Sequence, residues 1–246
     1  MKPSSAASLS TIQFYVTAPY ACSYLPDQMA RSQVVMPNRL IRSQTYSELV
    51  RQGFRRSGHY TYRPHCDFCQ ACIPIRLDSE SFVANRTQRK VWRRHHPSLK
   101  ISSHALHWSA EHSKLYHEYQ KARHTDGVMD KEDDSQYREF LLTSHVDSRL
   151  IEFRDAETNR LYMVSIVDIL SDGLSSVYTF FDPQIKGSFG TYNILWQIEQ
   201  CRQLGLPYLY LGYWIRQSPK MSYKSRFTAA QYLHNGHWLP YTRDDE

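Results

Sequence analysis

Three cysteines recur at every third position, Cys66, Cys69 and Cys72, and a fourth, Cys22, lies far upstream. A Cys-x-x-Cys turn directs two thiolates at one centre, and four thiolates can surround Zn²⁺ or an iron–sulfur cluster. The spacing does not separate these two groups, and four reduced, packed cysteines would give the same pattern. We therefore predict a metal or cluster site at these residues, with packed thiols as the alternative.

A stripe of positive charge follows the cysteines. Residues 81–110 contain no Asp or Glu, and five of their six Lys or Arg residues recur at helical spacing: Arg86, Arg89, Lys90, Arg93 and Arg94. Asn85 can cap this helix. Like charges on one helix face repel one another by a few tenths of a kcal/mol per pair, so an anion should offset them. Nucleic-acid phosphates fit this need, and a solvated helix face is the alternative.

The charge of the chain is divided unevenly. Its net charge is +6 over 246 residues, but the first 100 residues carry 15 Lys or Arg against 5 Asp or Glu, and the rest carry 15 against 19. The 41% hydrophobic content suffices for one large or two small cores. The longest apolar stretch, residues 161–170, is too short to cross a bilayer. We expect no membrane segment and a cytoplasmic location.

The pattern of predicted elements divides the chain into three parts. Residues 1–12 are expected to be disordered, residues 13–100 to form a Cys-rich basic domain, and residues 101–246 a second domain. In the second domain, strands at 149–154, 161–170 and 174–181 precede a glycine loop, a helix that buries Cys201, and a strand at 208–214. This order is typical of GNAT acyltransferases. We predict an α+β fold with a GNAT-like acyltransferase core and an N-terminal cysteine-containing subdomain.

The glycine loop itself does not favour a CoA donor. A CoA loop holds the pyrophosphate on bare backbone amides and reads Gln/Arg-x-x-Gly-x-Gly/Ala. Gln184 and Gly187 fit this pattern, but Phe189 places a bulky side chain where the backbone should be approached. We therefore expect no CoA, and a loop that only caps its helix is the alternative.

Several further segments match a known family. They span about residues 14–240 and are Cys22-Ser-Tyr-Leu-Pro26, Gly53-Phe-Arg-Arg-Ser-Gly58, Tyr62-Arg-Pro-His-Cys66 with Cys69 and Cys72-Ile-Pro74, Asn85-Arg-Thr-Gln-Arg-Lys90, Val177-Tyr-Thr-Phe-Phe-Asp-Pro183, Gly190-Thr-Tyr192, and Tyr208-Leu-Tyr-Leu-Gly-Tyr-Trp214 with Lys220-Met-Ser-Tyr-Lys224. With these segments the chain resembles the bacterial short form of the arginyl-tRNA:protein transferase family, the branch described as aspartate/glutamate leucyltransferases. Ser218-Pro219 before Lys220 departs from the pattern, since the family usually has two basic residues there.

The resemblance implies an activity. It implies that this chain takes an amino acid, leucine in preference to arginine, from its charged tRNA and adds it to proteins that begin with Asp or Glu, which marks them for degradation by the N-end rule. Attack of the α-amine on the aminoacyl ester needs a proton acceptor and a group that stabilises the oxyanion. We select for these roles Asp182, Tyr178, Lys220, Tyr223 and Lys224. Turn formation by Asp182 and core packing of the aromatic residues are the alternatives.

The two substrates call for basic residues. Arg grips a carboxylate at two points, so the candidates for binding an acidic acceptor are the arginines near the cysteines: Arg55, Arg56, Arg63 and Arg76. These four arginines could equally form part of a phosphate-binding surface. The candidates for binding tRNA are Arg86, Arg89, Lys90 and Arg93. Two other functions stay open at this point: an acetyl-CoA-dependent N-acetyltransferase and a non-catalytic, zinc-containing RNA-binding module.

Overall fold

The computed structural model describes residues 12–123, 134–218 and 221–241, so the predicted disordered segment lies outside them except for Ile12. The strands are β1 Gln13–Val16, β2 Tyr20–Ala21, β3 Met29–Ala30, β4 Ser32–Met36, β5 Arg55–Ser57, β6 Tyr60–Pro64, β7 Ile73–Asp78, β8 Leu99–His104, β9 Ser148–Asp155, β10 Leu161–Ile169, β11 Gly173–Phe181, β12 Tyr208–Trp214, β13 Ala230–His234 and β14 His237–Pro240. The helices are α1 Ser43–Arg51, α2 Arg86–His95, α3 Ala110–Arg123, α4 Asp134–Tyr137 and α5 Phe189–Gln203. Short 3-10 turns lie at Asn38–Leu40, His96–Ser98 and Ser222–Arg226, and a π turn lies at Arg138–Leu142.

The smaller of the two main sheets brings the distant cysteine segments together. Its strand order is β1-β4-β6-β5, and the pair β2–β3 lies beside it. The backbone N–H of Cys22 donates to Gln28 O at 2.9 Å and closes the turn between β2 and β3. The N–H of His65, the residue before Cys66, donates to Arg31 O at 2.8 Å. Pairing of these strands therefore places Cys22 on the same side of the fold as the Cys66 segment.

The larger sheet draws on both halves of the chain. Its order is β14-β13-β7-β12-β11-β10-β9-β8, and among its described strands only β11 and β12 pair in parallel. β7 precedes residue 100 in the chain but pairs with β12 on one side and β13 on the other. The large sheet thus contains strands from both sides of the domain boundary predicted at residue 100. The boundary itself stays a prediction.

The sequence of β10 is apolar at nearly every position because both faces of this central strand are covered. Met163 and Val167 contact the cluster under α5, whereas Val164 and Ile166 contact the cluster under α3. Successive side chains of a strand point to opposite faces, so a strand covered on both faces is buried at nearly every position. Cys201 of α5 is fully buried in the core, as predicted.

The order of elements in the second half confirms the predicted fold class. β9, β10 and β11 form an antiparallel meander, the glycine loop leads into α5, and β12 returns parallel to β11. The chain therefore has an α+β fold with a GNAT-like core and an N-terminal subdomain that holds the cysteine cluster. Among the described helices, none is long and apolar enough to cross a membrane.

Candidate active site

The parallel strands β11 and β12 separate shortly after they meet. They pair only from Gly173 opposite Tyr208 to Ser175 opposite Tyr210. Further along β12 the register with β7 shifts between Tyr210 and Tyr213, and Gly212 takes a φ of +71° there. A glycine inside a strand pattern often marks such an irregularity or the close approach of another group. We call the space between β11 from Val177 and β12 from Leu211 the strand gap.

Arg55 of β5 occupies the strand gap. Its Nη2 donates to Val177 O on β11 at 3.0 Å, and its Nη1 lies 2.9 Å from the point where a Cβ on Gly212 would stand. A side chain at position 212 would force the guanidinium to shift. No carboxylate pairs with Arg55 among the described residues. A partly buried guanidinium thus lies between the two strands, bonded to the backbone of β11 and packed against Gly212 of β12.

Lys224 lies in the same gap. Its side chain is buried, and its Nζ donates to Leu211 O at 2.8 Å and to Tyr213 O at 2.7 Å. Burial and the positive charge of Arg55 lower the pKa of Lys224 to about 7. Buried cations are costly unless a counter-charge offsets them. We refer to these residues as the Arg55–Lys224 pair, and their surroundings would favour an anion or a developing negative charge.

A cavity of about 630 Å³ lies beside the pair. Its walls come from the N-terminal sheet, the cysteine segment and the end of β12, and include Tyr24, Tyr62, Arg63 and Tyr213. The hydroxyl of Tyr213 donates to Gly53 O at 2.8 Å, and the Arg55 guanidinium lies 5.9 Å from the Tyr213 ring. Burial raises the pKa of Tyr24, and the charge of Arg55 partly opposes that rise. We call Tyr24, Tyr62 and Tyr213 the tyrosine wall, which lies between the cavity and the strand gap.

The four cysteines of the predicted metal site line this cavity, each half-buried. Burial, followed by the charges of Cys22, Cys66 and Cys69, raises the pKa of the Cys72 thiol to about 12. Soft thiolate donors of this kind suit Zn²⁺ or an iron–sulfur cluster, which would remove the mutual repulsion. No three of these sulfurs lie within 4.8 Å of one another in the described structure. The donors fit the predicted group, and the metal stays a prediction.

Of the five predicted catalytic residues, Lys224 and Tyr178 lie at the strand gap. Tyr178 follows Val177 on β11, its hydroxyl accepts from Gln120 Nε2 at 3.0 Å, and burial raises its pKa. Tyr223 sits in the turn before Lys224, where its surroundings raise its pKa to about 12, chiefly by desolvation. Lys220 lies outside the described residues.

Asp182 is placed differently. It follows the last residue of β11, five residues beyond Val177 and about 16 Å away along the chain. One of its carboxylate oxygens pairs with Arg160, and the other accepts from the backbone N–H of Gln184 at 2.8 Å. The structure therefore gives Asp182 the geometry of a turn-forming residue and does not bring it to the Arg55–Lys224 pair.

The four candidate acceptor arginines separate into two groups. Arg63 lines the cavity, with its Nε donating to Gln33 Oε1 at 2.8 Å and its guanidinium 4.7 Å from the Phe54 ring, and Arg55 lies behind the tyrosine wall. Arg56 points to the other face of β5, where it donates to both oxygens of the buried Asp168 at 2.7 and 2.8 Å.

Arg76 lies in an aromatic cage, 3.5 Å from the Tyr208 ring centre and 4.4 Å from that of Trp238. Its Nε donates to Gln231 Oε1 at 2.8 Å. Neither Arg56 nor Arg76 reaches the cavity.

The predicted basic helix is present as α2, with a capping box between Asn85 and Gln88. All five stripe residues are exposed, and in the described part of the chain none is paired with a carboxylate: Arg86, Arg89, Lys90, Arg93 and Arg94. The end of α2 packs on the glycine loop. Arg94 Nη2 donates to Lys186 O at 3.0 Å, and the His95 ring lies 2.7 Å from the position of a Cβ on Gly187.

Sequence reasoning missed the tyrosine wall and the role of Gly212. Tyr24 and Tyr213 were inside recognised segments, but nothing local distinguishes a tyrosine that lines a cavity from one in the core. Gly212 did carry a signal, because glycine in an otherwise aromatic strand predicts a bulge or a close contact. That contact is with Arg55.

Comparison with known sequences gives a consistent result. Residues 20–90 match the family described as Arginine-tRNA-protein transferase, N terminus, and residues 111–234 match Arginine-tRNA-protein transferase, C terminus. Three relatives named aspartate/glutamate leucyltransferase come from Nitrosospira multiformis, Chromobacterium violaceum and Polynucleobacter necessarius. They are 57%, 56% and 52% identical, and the matches cover 93%, 95% and 94% of this chain and 90%, 96% and 93% of theirs.

Among solved structures, the chain is similar to L-PGS from Bacillus licheniformis at 9% identity and a TM-score of 0.47, over 60% of this chain and 48% of that one.

Proposed function

The chain belongs to the arginine-tRNA-protein transferase family, and from this premise we propose that it moves leucine from its charged tRNA to the α-amine of proteins that begin with Asp or Glu. The name shared by the relatives favours leucine over arginine. The enzyme is an aminoacyltransferase. Its partners are aminoacyl-tRNA and acidic acceptor proteins, its place is the cytoplasm, and its product is marked for degradation by the N-end rule.

One observation carries the assignment of the reaction site, namely two cations without a carboxylate partner in the strand gap. Attack of an amine on an ester places a negative charge on the carbonyl oxygen. Fixed donors that face this charge stabilise it without having to reorient during the reaction. Arg55, which stays charged at all physiological pH values, would supply such donors throughout, and Lys224 would add a third N–H once it has accepted the proton of the amine. The tyrosine wall would guide the acyl end from the cavity to them.

Lys224 also suits the transfer of the proton. When the α-amine nitrogen bonds to the carbonyl carbon it must lose a proton, and the ribose oxygen must gain one when its bond to that carbon breaks. A lysine with a pKa of about 7 can accept the first proton and return it to the ribose. Its neutral amine has two N–H bonds for Leu211 O and Tyr213 O, which leaves the lone pair free.

The other predicted residues take supporting roles in this proposal. Tyr178 borders the strand gap, and Tyr223 with Lys220 would contact the aminoacyl end of the tRNA. Asp182 holds the turn after β11 through Arg160 and Gln184. Its carboxylate is not needed as the proton acceptor when Lys224 serves.

The exposed stripe of α2 would bind tRNA phosphates, and Arg63 would grip the acidic side chain of the acceptor in the cavity. Arg63 is the candidate acceptor arginine that both lines the cavity and lacks a carboxylate partner among the described residues. Cys22, Cys66, Cys69 and Cys72 would hold Zn²⁺ or an iron–sulfur cluster that orders the cavity wall. No step of the transfer involves that group.

The experiment that tests this function supplies purified protein with leucyl-tRNA or arginyl-tRNA and with peptides that begin with Asp, Glu or Asn. We expect a mass increase of one leucyl residue on the Asp and Glu peptides. Arginyl-tRNA and the Asn peptide should react far more slowly. Transfer of an acetyl group from acetyl-CoA, or binding of tRNA without any transfer, would overturn the proposal.

A further inference from the structure

Two histidines and a glutamate meet away from the cavity, at the outer end of the large sheet. His107 lies in the loop between β8 and α3, His112 in the first turns of α3, and Glu152 on β9. One potential ligand atom from each lies within 4.8 Å of the others. His112 and Glu152 are buried, with His112 Nε2 2.7 Å from Glu152 Oε1, whereas His107 is exposed. The group therefore combines a fixed pair with one side chain that can adjust.

The surroundings hold the carboxylate in place. Glu152 Oε2 accepts from Arg154 Nε at 2.7 Å, and Arg154 is itself paired with Glu111. Such outer partners fix the orientation of a ligating carboxylate. His104 Nε2 lies 4.0 Å from Glu152 Oε2 and offers a further nitrogen. The carboxylate of the group is therefore buried and held in a fixed orientation.

One buried atom of the group has no partner. The ring of His112 is fully buried, and its Nδ1 makes no hydrogen bond. A buried polar atom without a partner costs about 1–3 kcal/mol. Nε2 is the nitrogen that faces Glu152, so a cation bound between these two groups would be held by Nε2, and Nδ1 would carry the ring proton.

From this geometry we infer that His107, His112 and Glu152 bind one Zn²⁺ ion, with His104 or water as the fourth ligand. Two imidazoles and one carboxylate are a known zinc donor set, and imidazole selects Zn²⁺ over Mg²⁺ or Ca²⁺. Ligands of a tetrahedral zinc ion lie about 3.4 Å apart, given bonds of about 2.0–2.2 Å. Zinc binding would therefore open the 2.7 Å contact between His112 Nε2 and Glu152 Oε1 to about that spacing, and the exposed His107 would move in to complete the set.

The ion would tie the β8–α3 loop to β9. None of its ligands lines the cavity, and none belongs to the cysteine set, so this site is separate from the one predicted from the cysteine spacing. Its role would be to fix the start of α3, the helix that carries Gln120 to Tyr178 at the strand gap. The inference goes beyond the proposed transferase activity and does not depend on it.

The test titrates Zn²⁺ into the metal-free full chain in competition with a chromophoric chelator. Four proteins are compared: the wild type, His107→Ala, Glu152→Gln and the control His237→Ala, whose exposed imidazole lies on β14. The cysteines contribute equally in all four proteins, so differences isolate the histidine site. We expect both site variants to lose one zinc equivalent or to bind it at least about 10–100-fold more weakly, with the control unchanged.

His107→Ala decides the outcome if Glu152→Gln fails to fold, because His107 is exposed and touches the buried His112 only through a ring contact. A second measurement follows the thermal unfolding midpoint with and without zinc. Zinc should raise the midpoint of the wild type and of His237→Ala more than that of His107→Ala. Equal zinc stoichiometry and affinity in the wild type and in His107→Ala would overturn the inference.

Discussion

Lys224 and Arg55 share the strand gap, and burial together with the charge of Arg55 holds the pKa of Lys224 at about 7. The two side chains come from segments far apart in the chain and are anchored to different strands, Arg55 to Val177 O and Lys224 to Leu211 O and Tyr213 O. A lysine poised near neutral pH beside a permanent cation is suited to proton transfer next to a developing negative charge.

The lowered pKa of Lys224 predicts a pH-dependent stability difference. The folded-state pKa lies below the unfolded value of about 10.4, so protonation of Lys224 opposes folding. The penalty is absent above about pH 10.4, grows as the pH falls towards 7 and is constant below it. The free energy of unfolding of Lys224→Met, measured with urea, should therefore rise relative to that of the wild type as the pH is lowered from 10 to 7. A difference that does not change with pH would contradict the buried charge.

The α2 stripe predicts a change in salt dependence. Replacing Arg86, Arg89, Lys90 and Arg93 by Gln should weaken tRNA binding, and the slope of log affinity against log salt should fall by about 0.7–0.9 for each phosphate that the helix no longer neutralises. Lys114→Gln, an exposed lysine on α3, serves as the control and should leave the slope unchanged. An unaltered slope in the fourfold variant would identify the stripe as a solvated helix face.

The position of Arg63 in the cavity predicts that this residue sets the preference for acidic acceptors. Charge-assisted hydrogen bonds to an N-terminal Asp are worth about 1.5–3 kcal/mol, so Arg63→Ala should reduce the preference for Asp over Asn peptides by about ten- to a hundredfold in kcat/KM. The affinity for tRNA should hardly change. Arg149→Ala, a partly exposed arginine paired with Asp147, is the matched control. If Arg63→Ala keeps the full preference, the acidic side chain binds elsewhere.

The buried pair of Arg56 and Asp168 predicts a large effect on stability. Asp168→Asn would leave the guanidinium of Arg56 buried without its counter-charge, which costs about 3–5 kcal/mol in the free energy of unfolding. The double variant Arg56→Met, Asp168→Leu should recover much of this loss, because no charge is then buried. Urea unfolding measures both. A loss below about 1 kcal/mol in Asp168→Asn would show that water reaches the pair.

The order of strands and helices could be predicted from the sequence because each element is determined by residues that lie close together in the chain. The meander is marked by short polar breaks, α2 by Asn85 and its spacing of charges, and the burial of Cys201 by the periodicity of α5. These patterns involve residues within one element. The predicted GNAT-like order and the observed one therefore agree.

The site depends on contacts between distant segments. Arg55 reaches Val177 across 122 positions, and Arg56 reaches Asp168 across 112. Adjacent arginines on one strand point to opposite faces, and no local pattern shows which of the two meets a carboxylate. The sequence likewise offered Asp182 as a proton acceptor, although Arg160 and the backbone N–H of Gln184 occupy its oxygens in the fold.

The central claim is that transfer takes place at the Arg55–Lys224 pair, with Lys224 moving the proton. The most direct test is the ratio of the transfer rates of the wild type and Lys224→Arg between about pH 6 and pH 9. Arg keeps the charge but cannot act as a base, and the titration of the acceptor amine is common to both proteins and cancels in the ratio. We predict a ratio that rises with pH through an inflection near 7 and reaches about 10²–10⁴. A ratio near one at every pH would contradict the claim.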